Sequence, residues 1–309
     1  MMVLLTKGNQ EVLMVNRHAD RTGRTVVITG GSDGMGRALA LGRAARGDHA
    51  IAIGSSQARG DRLLSDAAEL GLEGRIEFVR ADLSTIAGNQ AVLDHVGRHG
   101  SIDALVLGAN RPSPKRVETV DGFESTFALY YLSRYILGHG LMPLLSQAPG
   151  PVIVNVAGVG ATAGQIHWDD LQLRDRYRVV AAQLQAGRAN DLLGVAMAER
   201  HGDQVPYVLY HPGFTRSGAA AREHVSPPAR FTLKVLAAIA AQPVERAIAP
   251  IHGFIESPPT ASLTAVDRAR LVPLGLKTLE PSAARRLDQV TARLLADKLT
   301  ARAHGDRRR

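Results

Sequence analysis

The chain of 309 residues contains no cysteine, and only 4% of its residues are aromatic. Without cysteine the protein has no disulfide, no thiolate nucleophile and no thiolate metal site. Long hydrophobic runs are also missing, because no stretch reaches the roughly eighteen apolar residues that a membrane-spanning helix requires. The apolar start, Met1–Leu5, is followed by polar residues and is too short for a secretory signal. These absences predict a cytoplasmic protein that does not span a membrane.

The positive charge is carried almost entirely by arginine. The formal net charge is +8, yet lysine occurs only at positions 7, 115, 234, 277 and 298. The arginines are scattered, apart from the pair Arg285 and Arg286 and the last three residues. Nucleic-acid binders concentrate basic residues on one face and add aromatic rings that stack on bases. The pattern therefore indicates a compositional bias and predicts no nucleic-acid partner.

Short apolar runs alternate with helical patterns, which is the signature of βαβ units. The alternation predicts one α/β domain with a doubly wound parallel sheet of the Rossmann type. Its core covers about 22–217, a possible hairpin over 3–15 precedes it, and a helical extension on the substrate side covers about 218–300. The predicted strands are 25–29, 50–54, 76–80, 104–107, 152–156 and 207–210, and the main helices are 34–45, 59–70, 122–145, 179–200, 231–241 and 282–300.

A glycine-rich segment, TGGSDGMG, occupies positions 29–36 between the first strand and the first helix. Glycine in such a turn lets the backbone N–H groups at the helix start approach a pyrophosphate, which the positive end of the helix dipole attracts. The glycines at 30, 34 and 36 are spaced differently from the three-glycine fingerprint of ordinary Rossmann dehydrogenases. The segment predicts a nucleotide cofactor.

This spacing resembles that of the short-chain dehydrogenase/reductase family, and further segments resemble its retinol-dehydrogenase-like group. They are Thr119–Glu124, Asp169–Leu171, Ala189-Asn190 and His211–Gly213. The resemblance covers roughly 22–217 and implies a cofactor-binding Rossmann fold, with Asp82 at the adenine and Ser217 near the carboxamide. The full set of cofactor-binding residues that it implies is Gly30, Ser32, Asp33, Gly34, Met35, Gly36, Ser55, Arg59, Asp82, Leu83, Asn110, Pro212, Gly213 and Ser217.

The choice of cofactor is weakly marked. Members that prefer NAD carry an acid at the end of the second strand, where this chain has Ser55 followed closely by Arg59. An arginine there favours the 2′-phosphate of NADP(H), whereas Asp33 in the glycine segment favours NAD(H). The expected cofactor is NADP(H). NAD(H) and the loss of any nicotinamide cofactor stay open, the latter because Asn110 would stand near the ribose.

The family's catalytic positions are all substituted when the chain is aligned on these landmarks. A Tyr-x3-Lys pair precedes Ala-Asn in the family, which puts Gln183 at the tyrosine and Gly187 at the lysine. The same alignment puts Gly158 at the catalytic serine and Tyr130 at the asparagine of the proton relay. Carbonyl reduction needs a proton donor beside the hydride acceptor. The substitutions therefore predict a protein that does not perform ordinary Tyr/Lys-assisted reduction.

Three residues are candidates for replacement chemistry, each with a structural alternative. Tyr130 either supplies a phenol or fills vacated space, and Gln183 either orients a carbonyl or simply packs. His167, two residues before Asp169, is suited to acid–base work or has a structural role in its loop. His95 and His99 have metal-compatible spacing but no third ligand in the neighbouring sequence, so they are interpreted as solvated helix residues and no metal site is predicted.

The leading hypothesis is a divergent family member that acts on a small organic molecule by a non-redox step such as cyclisation, isomerisation or dehydration, within specialised metabolism. One alternative is an NADP(H)-dependent oxidoreductase that uses Tyr130 or His167 as its proton donor. Another is a catalytically silent binding or scaffolding protein. The resemblance also implies a homo-oligomer, because the long helices after the fourth and fifth strands form the family's usual dimer face.

Overall fold

The computed structural model describes residues 23–213 and 243–306. The hairpin predicted over 3–15, the helix predicted over 231–241 and Ser217 lie outside the described residues. The strands are β1 Thr25–Thr29, β2 His49–Gly54, β3 Ile76–Arg80, β4 Ala104–Leu107, β5 Val152–Val156, β6 Tyr207–His211, β7 Leu263–Asp267 and β8 Arg270–Leu271. They form one sheet in the order β3-β2-β1-β4-β5-β6-β7-β8, in which only the β7–β8 pair is antiparallel.

Helices connect the strands and cover both faces of the sheet. They are α1 Gly34–Ala44, α2 Gln57–Glu69, α3 Ile86–Val96, α4 Ser125–Phe127, α5 Ser133–Gly140, α6 Met142–Leu145, α7 Val179–His201, α8 Val244–Glu256 and α9 Pro281–Asp306. A π-helical segment, Ala128–Leu132, joins α4 to α5, and a short 3-10 turn, Lys277–Leu279, precedes α9. None of the helices in the described ranges is long and apolar enough to cross a membrane.

The two cores follow from the alternation of side chains along the strands. In β1, Val26 and Ile28 face the core formed with α1, α2 and α8, whereas Val27 faces the core formed with α3, α5, α7 and α9. All three side chains are fully buried. Parallel strands buried on both faces read as continuous apolar runs, which explains why the TVVIT segment is recognisable from sequence.

The strand order reverses between β1 and β4. After β1 the chain adds β2 and β3 on one side, and from β4 onward it adds strands on the other side. In open α/β sheets a ligand binds in the crevice beyond the carboxyl ends of the strands at such a switch point. The glycine segment lies at this point, directly after β1. The doubly wound α/β fold class predicted from the sequence is confirmed.

Two parts of the fold differ from the sequence-based expectation. Residues 243–306 contribute β7 and β8 to the sheet as well as helices, so the sheet continues past the boundary predicted near 217. The segment LTAVD contains Thr264 and ends in Asp267, so it lacks the continuous apolar run that marks a strand such as β4. The single helix predicted over 122–145 is instead divided into α4, the π segment, α5 and α6.

The last helix, α9, packs along α7 and also contacts the π segment. The hydroxyls of Tyr131 and Thr291 lie 2.7 Å apart in a buried hydrogen bond, and Arg200 on α7 pairs with Asp288 at 2.7 Å. The C-terminal helix therefore covers part of the helices that follow β4 and β5.

Candidate functional site

The glycine segment forms a tight turn that is closed against the neighbouring loop. Gly30 has a φ of +72°, and Gly34 has a φ of +50°. A Cβ on Gly36 would stand 2.1 Å from the carbonyl oxygen of Gly30, and one on Gly30 would stand 3.1 Å from the Cα of Ala109. Only glycine meets these requirements without displacing backbone. The first-turn amides of α1, which no helix carbonyl satisfies, are thereby left at the crevice.

The loop after β4 is bound to the end of β1 by a single side chain. The Thr29 hydroxyl accepts hydrogen bonds from the backbone N–H groups of Gly108 at 3.0 Å and Ala109 at 3.2 Å. Thr29 is itself buried. This contact fixes the distance between the two loops that form the walls of the crevice.

A charged pair lies at the mouth of the crevice. Asp33 caps α1 by accepting a hydrogen bond from the Gly34 N–H at 2.8 Å, and its other oxygen is 3.1 Å from the guanidinium of Arg59. Both side chains are more than half exposed, at 61% for Asp33 and 52% for Arg59. Ser55, at the end of β2, is also exposed. The arrangement leaves an exposed arginine beside the glycine turn, with the Asp33 carboxylate partly neutralising its charge.

The other predicted cofactor residues in the described ranges lie near the carboxyl ends of the same parallel strands or in the glycine segment. Asp82 is exposed after β3, and its carboxylate accepts hydrogen bonds from the Ser84 N–H at 3.0 Å and the Ser84 hydroxyl at 2.7 Å. Leu83 and Ser32 are buried, and Met35 is half-buried. Pro212 and Gly213 follow β6, and Gly213 has a φ of +79°.

Two amides form a bridge across the crevice. The Asn110 side-chain N–H donates to the Gln183 amide oxygen at 3.0 Å, and the Gln183 N–H donates back to the Asn110 oxygen at 3.2 Å. Asn110 belongs to the loop after β4, and Gln183 lies in the second turn of α7. The sequence analysis assigned the two residues to different roles, and the fold brings them together.

Two glycines leave open space beside this bridge. A Cβ added to Gly158, after β5, or to Gly187, one helical turn beyond Gln183, would meet no other group within 4 Å. Unlike Gly36, neither glycine is required by a close backbone contact. Both positions could accommodate a side chain, and the chain carries none there.

Tyr130 lies in the π segment and is 7% exposed. Its ring stacks against the guanidinium of Arg134, whose Cζ is 4.6 Å from the ring centroid. Burial raises the pKa of the Tyr130 hydroxyl, while the Arg134 cation lowers it and the Asp191 charge raises it. The phenol is therefore protonated at neutral pH and can donate a hydrogen bond.

A buried polar network holds the elements around Tyr130 in register. Arg134 donates to the carbonyl oxygen of Val156 at 2.8 Å and of Ala109 at 3.0 Å, and also bonds the Asn155 side chain. Asn155 donates to Asn190 at 3.1 Å. Asn190 in turn donates to the Tyr130 carbonyl oxygen at 2.7 Å. The Ala-Asn landmark on α7 therefore has a positioning role, since it links α7, β5 and the π segment.

Arg188 and Asp191 form a buried ion pair that the sequence analysis did not identify. The guanidinium of Arg188 lies 3.0 Å from one oxygen of Asp191 and also donates to backbone carbonyls of the loop after β5, such as Thr162 at 3.3 Å. The other Asp191 oxygen is buried and has no hydrogen-bond partner among the described residues. Burial raises the pKa of Asp191 to about 7, although the Arg188 cation opposes this shift.

His167 lies in the loop after β5, which its backbone joins to α7. Its backbone N–H donates to the Gln185 side chain at 2.9 Å, and no hydrogen bond is found for its imidazole within the described residues. The neighbouring Trp168 ring lies 4.0 Å from the guanidinium carbon of Arg286 on α9. His211, by contrast, has a side-chain partner, because its Nδ1 is 2.9 Å from an oxygen of Asp267 on β7.

Comparison with known proteins agrees with this architecture. The short chain dehydrogenase family matches residues 24–169. Human retinol dehydrogenase 14 is 29% identical over 219 residues, covering 66% of this chain and 65% of that protein. Human polyprenol dehydrogenase is 28% identical over 171 residues, which cover 54% of this chain and 52% of that protein. The chain thus matches between half and two thirds of the length of these relatives.

A solved structure shows the same fold. The RhlG/NADP active-site complex of Pseudomonas aeruginosa superimposes with a TM-score of 0.63 at 20% identity, covering 82% of this chain and 98% of that one. The order of the strands and the glycine turn after β1 agree with the family match. Residues 24–169 match the short chain dehydrogenase family, and the chain is similar to retinol and polyprenol dehydrogenases of that family.

Proposed function

We propose that this protein binds NADP(H) in the crevice at the end of β1 and acts on a small organic molecule without a Tyr/Lys proton relay. The observation that carries the proposal is the reciprocal hydrogen bonding between Asn110 and Gln183. An amide at the position of the family's tyrosine orients a carbonyl by hydrogen bonding but does not transfer a proton at neutral pH. Gly187 adds neither charge nor a ribose contact.

The adenosine and pyrophosphate parts of the cofactor fit the residues present. The close contact between Gly36 and Gly30 leaves room for a pyrophosphate at the start of α1, where the helix dipole favours negative charge. Arg59 would pair with a 2′-phosphate and exchange its Asp33 partner for it. Asp82 would meet the adenine. When bound, a nicotinamide cofactor supplies or accepts a hydride.

The nicotinamide part would meet a changed surface. The Asn110–Gln183 bridge spans the crevice on this side, so a bound ring requires the two amides to separate or the ring to stand beside them. Each amide would then offer its donor and acceptor to the ligand instead of to the other. This supports a binding site whose polar groups orient a substrate without an acid–base pair at the family's positions.

Asp191 is a buried carboxyl in an ion pair with Arg188, and burial raises its pKa. A carboxyl with its pKa raised to about 7 exists in both protonation states at that pH. The Asp191 charge raises the pKa of the Tyr130 hydroxyl, so the two groups interact electrostatically. A non-redox isomerisation or dehydration that needs one proton shuttle is compatible with this pair.

A second candidate function is an NADP(H)-dependent oxidoreductase in which Tyr130 donates the proton. It is favoured by the relatives, which are named as dehydrogenases. The raised pKa of Tyr130 counts against it, because a weaker acid transfers its proton less readily. The third candidate function is a catalytically silent binding or scaffolding protein. The homo-oligomer expected from the sequence also stays a prediction. Because α9 covers part of α7, a subunit contact on that side would involve α9.

Two measurements test the proposal. Nucleotide binding is followed by NADPH fluorescence and by melting temperature with NADPH, NADP+ and NAD+, and we expect binding with preference for the phosphorylated forms. Arg59→Ala should remove that preference, whereas Arg62→Ala on the same helix should retain it. The absence of binding in the wild-type protein would refute the cofactor assignment. Steady NADPH oxidation with simple ketones or aldehydes would refute the non-reductase assignment and favour the second candidate.

A further inference from the structure

Away from the crevice, three potential metal ligands converge on one surface. They are Glu77 on β3, His95 on α3 and His99 in the turn that follows α3. Their ligand atoms all lie within 4.8 Å of one another. The Nε2 of His95 is 2.5 Å from one Glu77 oxygen, and the Nε2 of His99 is 3.6 Å from the other. All three side chains are between 24% and 33% exposed, so the cluster is reachable from solvent.

The register of β2 and β3 explains why Glu77 lies beside the two histidines. Ile51 on β2 faces the core beneath α3, and Glu77 is its partner on β3, so Glu77 points to the same face. His95 and His99, four residues apart, lie on the same side of the end of α3. His49 is two residues before Ile51 on β2, and its ring centroid is 5.7 Å from that of His99. The sequence interpretation of the histidines as solvated residues did not include this strand.

We propose that Glu77, His95 and His99 form a Zn²⁺ site, with His49 or a water molecule as the fourth ligand. Imidazole nitrogen and carboxylate oxygen are ligands that zinc binds at about 2.0–2.2 Å in tetrahedral sites. Both histidines direct Nε2 toward the carboxylate, so an ion between the three groups would need only small side-chain movements. The ordinary alternative is a pair of His–Glu contacts that bind no metal.

The position of the site indicates a structural role. Glu77 and His49 are near the amino ends of β3 and β2, whereas the glycine turn follows the carboxyl end of β1. Because these strands are parallel, the two sites lie at opposite ends of the strands. β3 is one of the two edge strands of the described sheet, and β8 is the other. A metal ion here would join β3 to the end of α3, and it would stabilise the fold without taking part in chemistry at the crevice.

The test uses the full chain without a polyhistidine tag, stripped with EDTA and desalted. Titration calorimetry with ZnCl₂ should give one ion per chain with a dissociation constant in the micromolar range or below. Zinc at saturation should raise the melting temperature by about 2 °C or more. Co²⁺ at the same site should give the visible absorption bands of a tetrahedral complex.

Variants separate the site from adventitious binding. His99→Gln retains the Glu77–His95 contact but removes one ligand, and we expect it to weaken zinc binding at least about tenfold. Glu77→Gln should do the same. His201→Gln, at a half-buried histidine outside the cluster, is the matched control and should bind as the wild type does. Equal zinc binding by His99→Gln and the wild type, or no binding by the wild type at millimolar zinc, would overturn the proposal.

Discussion

Replacing Gly36 by alanine tests whether the glycine turn holds the pyrophosphate. The added Cβ would stand 2.1 Å from the carbonyl oxygen of Gly30, whereas an ordinary carbon–oxygen contact is about 3.3 Å. The turn must therefore open by about 1 Å, and the atom in the way is backbone. Overpacking of this kind costs about 1–3 kcal/mol. If the displaced turn is the cofactor cradle, NADPH affinity should fall about tenfold to hundredfold, since each 1.4 kcal/mol is a factor of ten.

The matched control is Gly253→Ala in α8, where a Cβ would meet nothing within 4 Å. Alanine is favoured over glycine in a helix by up to about 1 kcal/mol, so this variant should be slightly more stable and bind NADPH normally. Fluorescence titration measures the affinity, and thermal unfolding reports the stability of each variant. If Gly36→Ala binds NADPH within twofold of a binding-competent wild type, the turn is not the pyrophosphate site and the reasoning is wrong.

The remaining predictions concern the residues around the bridge. The double variant Gln183→Tyr with Gly187→Lys should fold, because position 187 has open space, but it should oxidise little NADPH with ketones or aldehydes. Robust turnover would mean that only these two groups block reduction. Tyr130→Phe keeps the ring and should lower activity or ligand affinity at least about tenfold, roughly 1.4 kcal/mol, through loss of a hydrogen-bond donor; unchanged binding and melting would assign Tyr130 to packing. Asp191 has a folded-state pKa raised to about 7, so the free energy of unfolding should fall as pH rises toward that value. Relative to Asp191→Asn, the wild type should lose stability steadily as pH rises from about 4 toward 7 in denaturant titrations, and a constant difference would contradict the raised pKa.

Much of the core was predictable from sequence because its strands are buried on both faces. The predicted strand over 25–29 and the observed β1, Thr25–Thr29, agree, as do the predicted strand over 152–156 and β5, Val152–Val156. The helix predicted to start at 34 does begin at Gly34, after the Asp33 cap. In these segments, local pattern and tertiary burial impose the same requirement, which is why a single sequence was sufficient.

Local pattern failed where the pairing is long-range or the segment is short. The helix α3, Ile86–Val96, contains Gly88 and Asn89, which weaken its intrinsic signal, and it is held by contacts such as the Asn89 side chain to the Leu83 carbonyl at 2.9 Å. β7 has only five residues and becomes a strand because it pairs with β6. The partner of β7 is long-range, since Leu263 pairs with Tyr207, and no pattern in the neighbouring residues identifies it.

The same division applies to the sites. The sequence by itself determined that a glycine turn follows β1, because this depends on residue identity at fixed spacing. That the family's catalytic side chains are replaced stays a prediction from the alignment. Only the tertiary structure decided that Asn110 bonds Gln183 across 73 positions and that Glu77 reaches His95 across 18. It also decided that Asp191 is buried with Arg188. Hydrogen bonding and desolvation depend on which groups the packed sheet and helices bring together, and no local pattern specifies that.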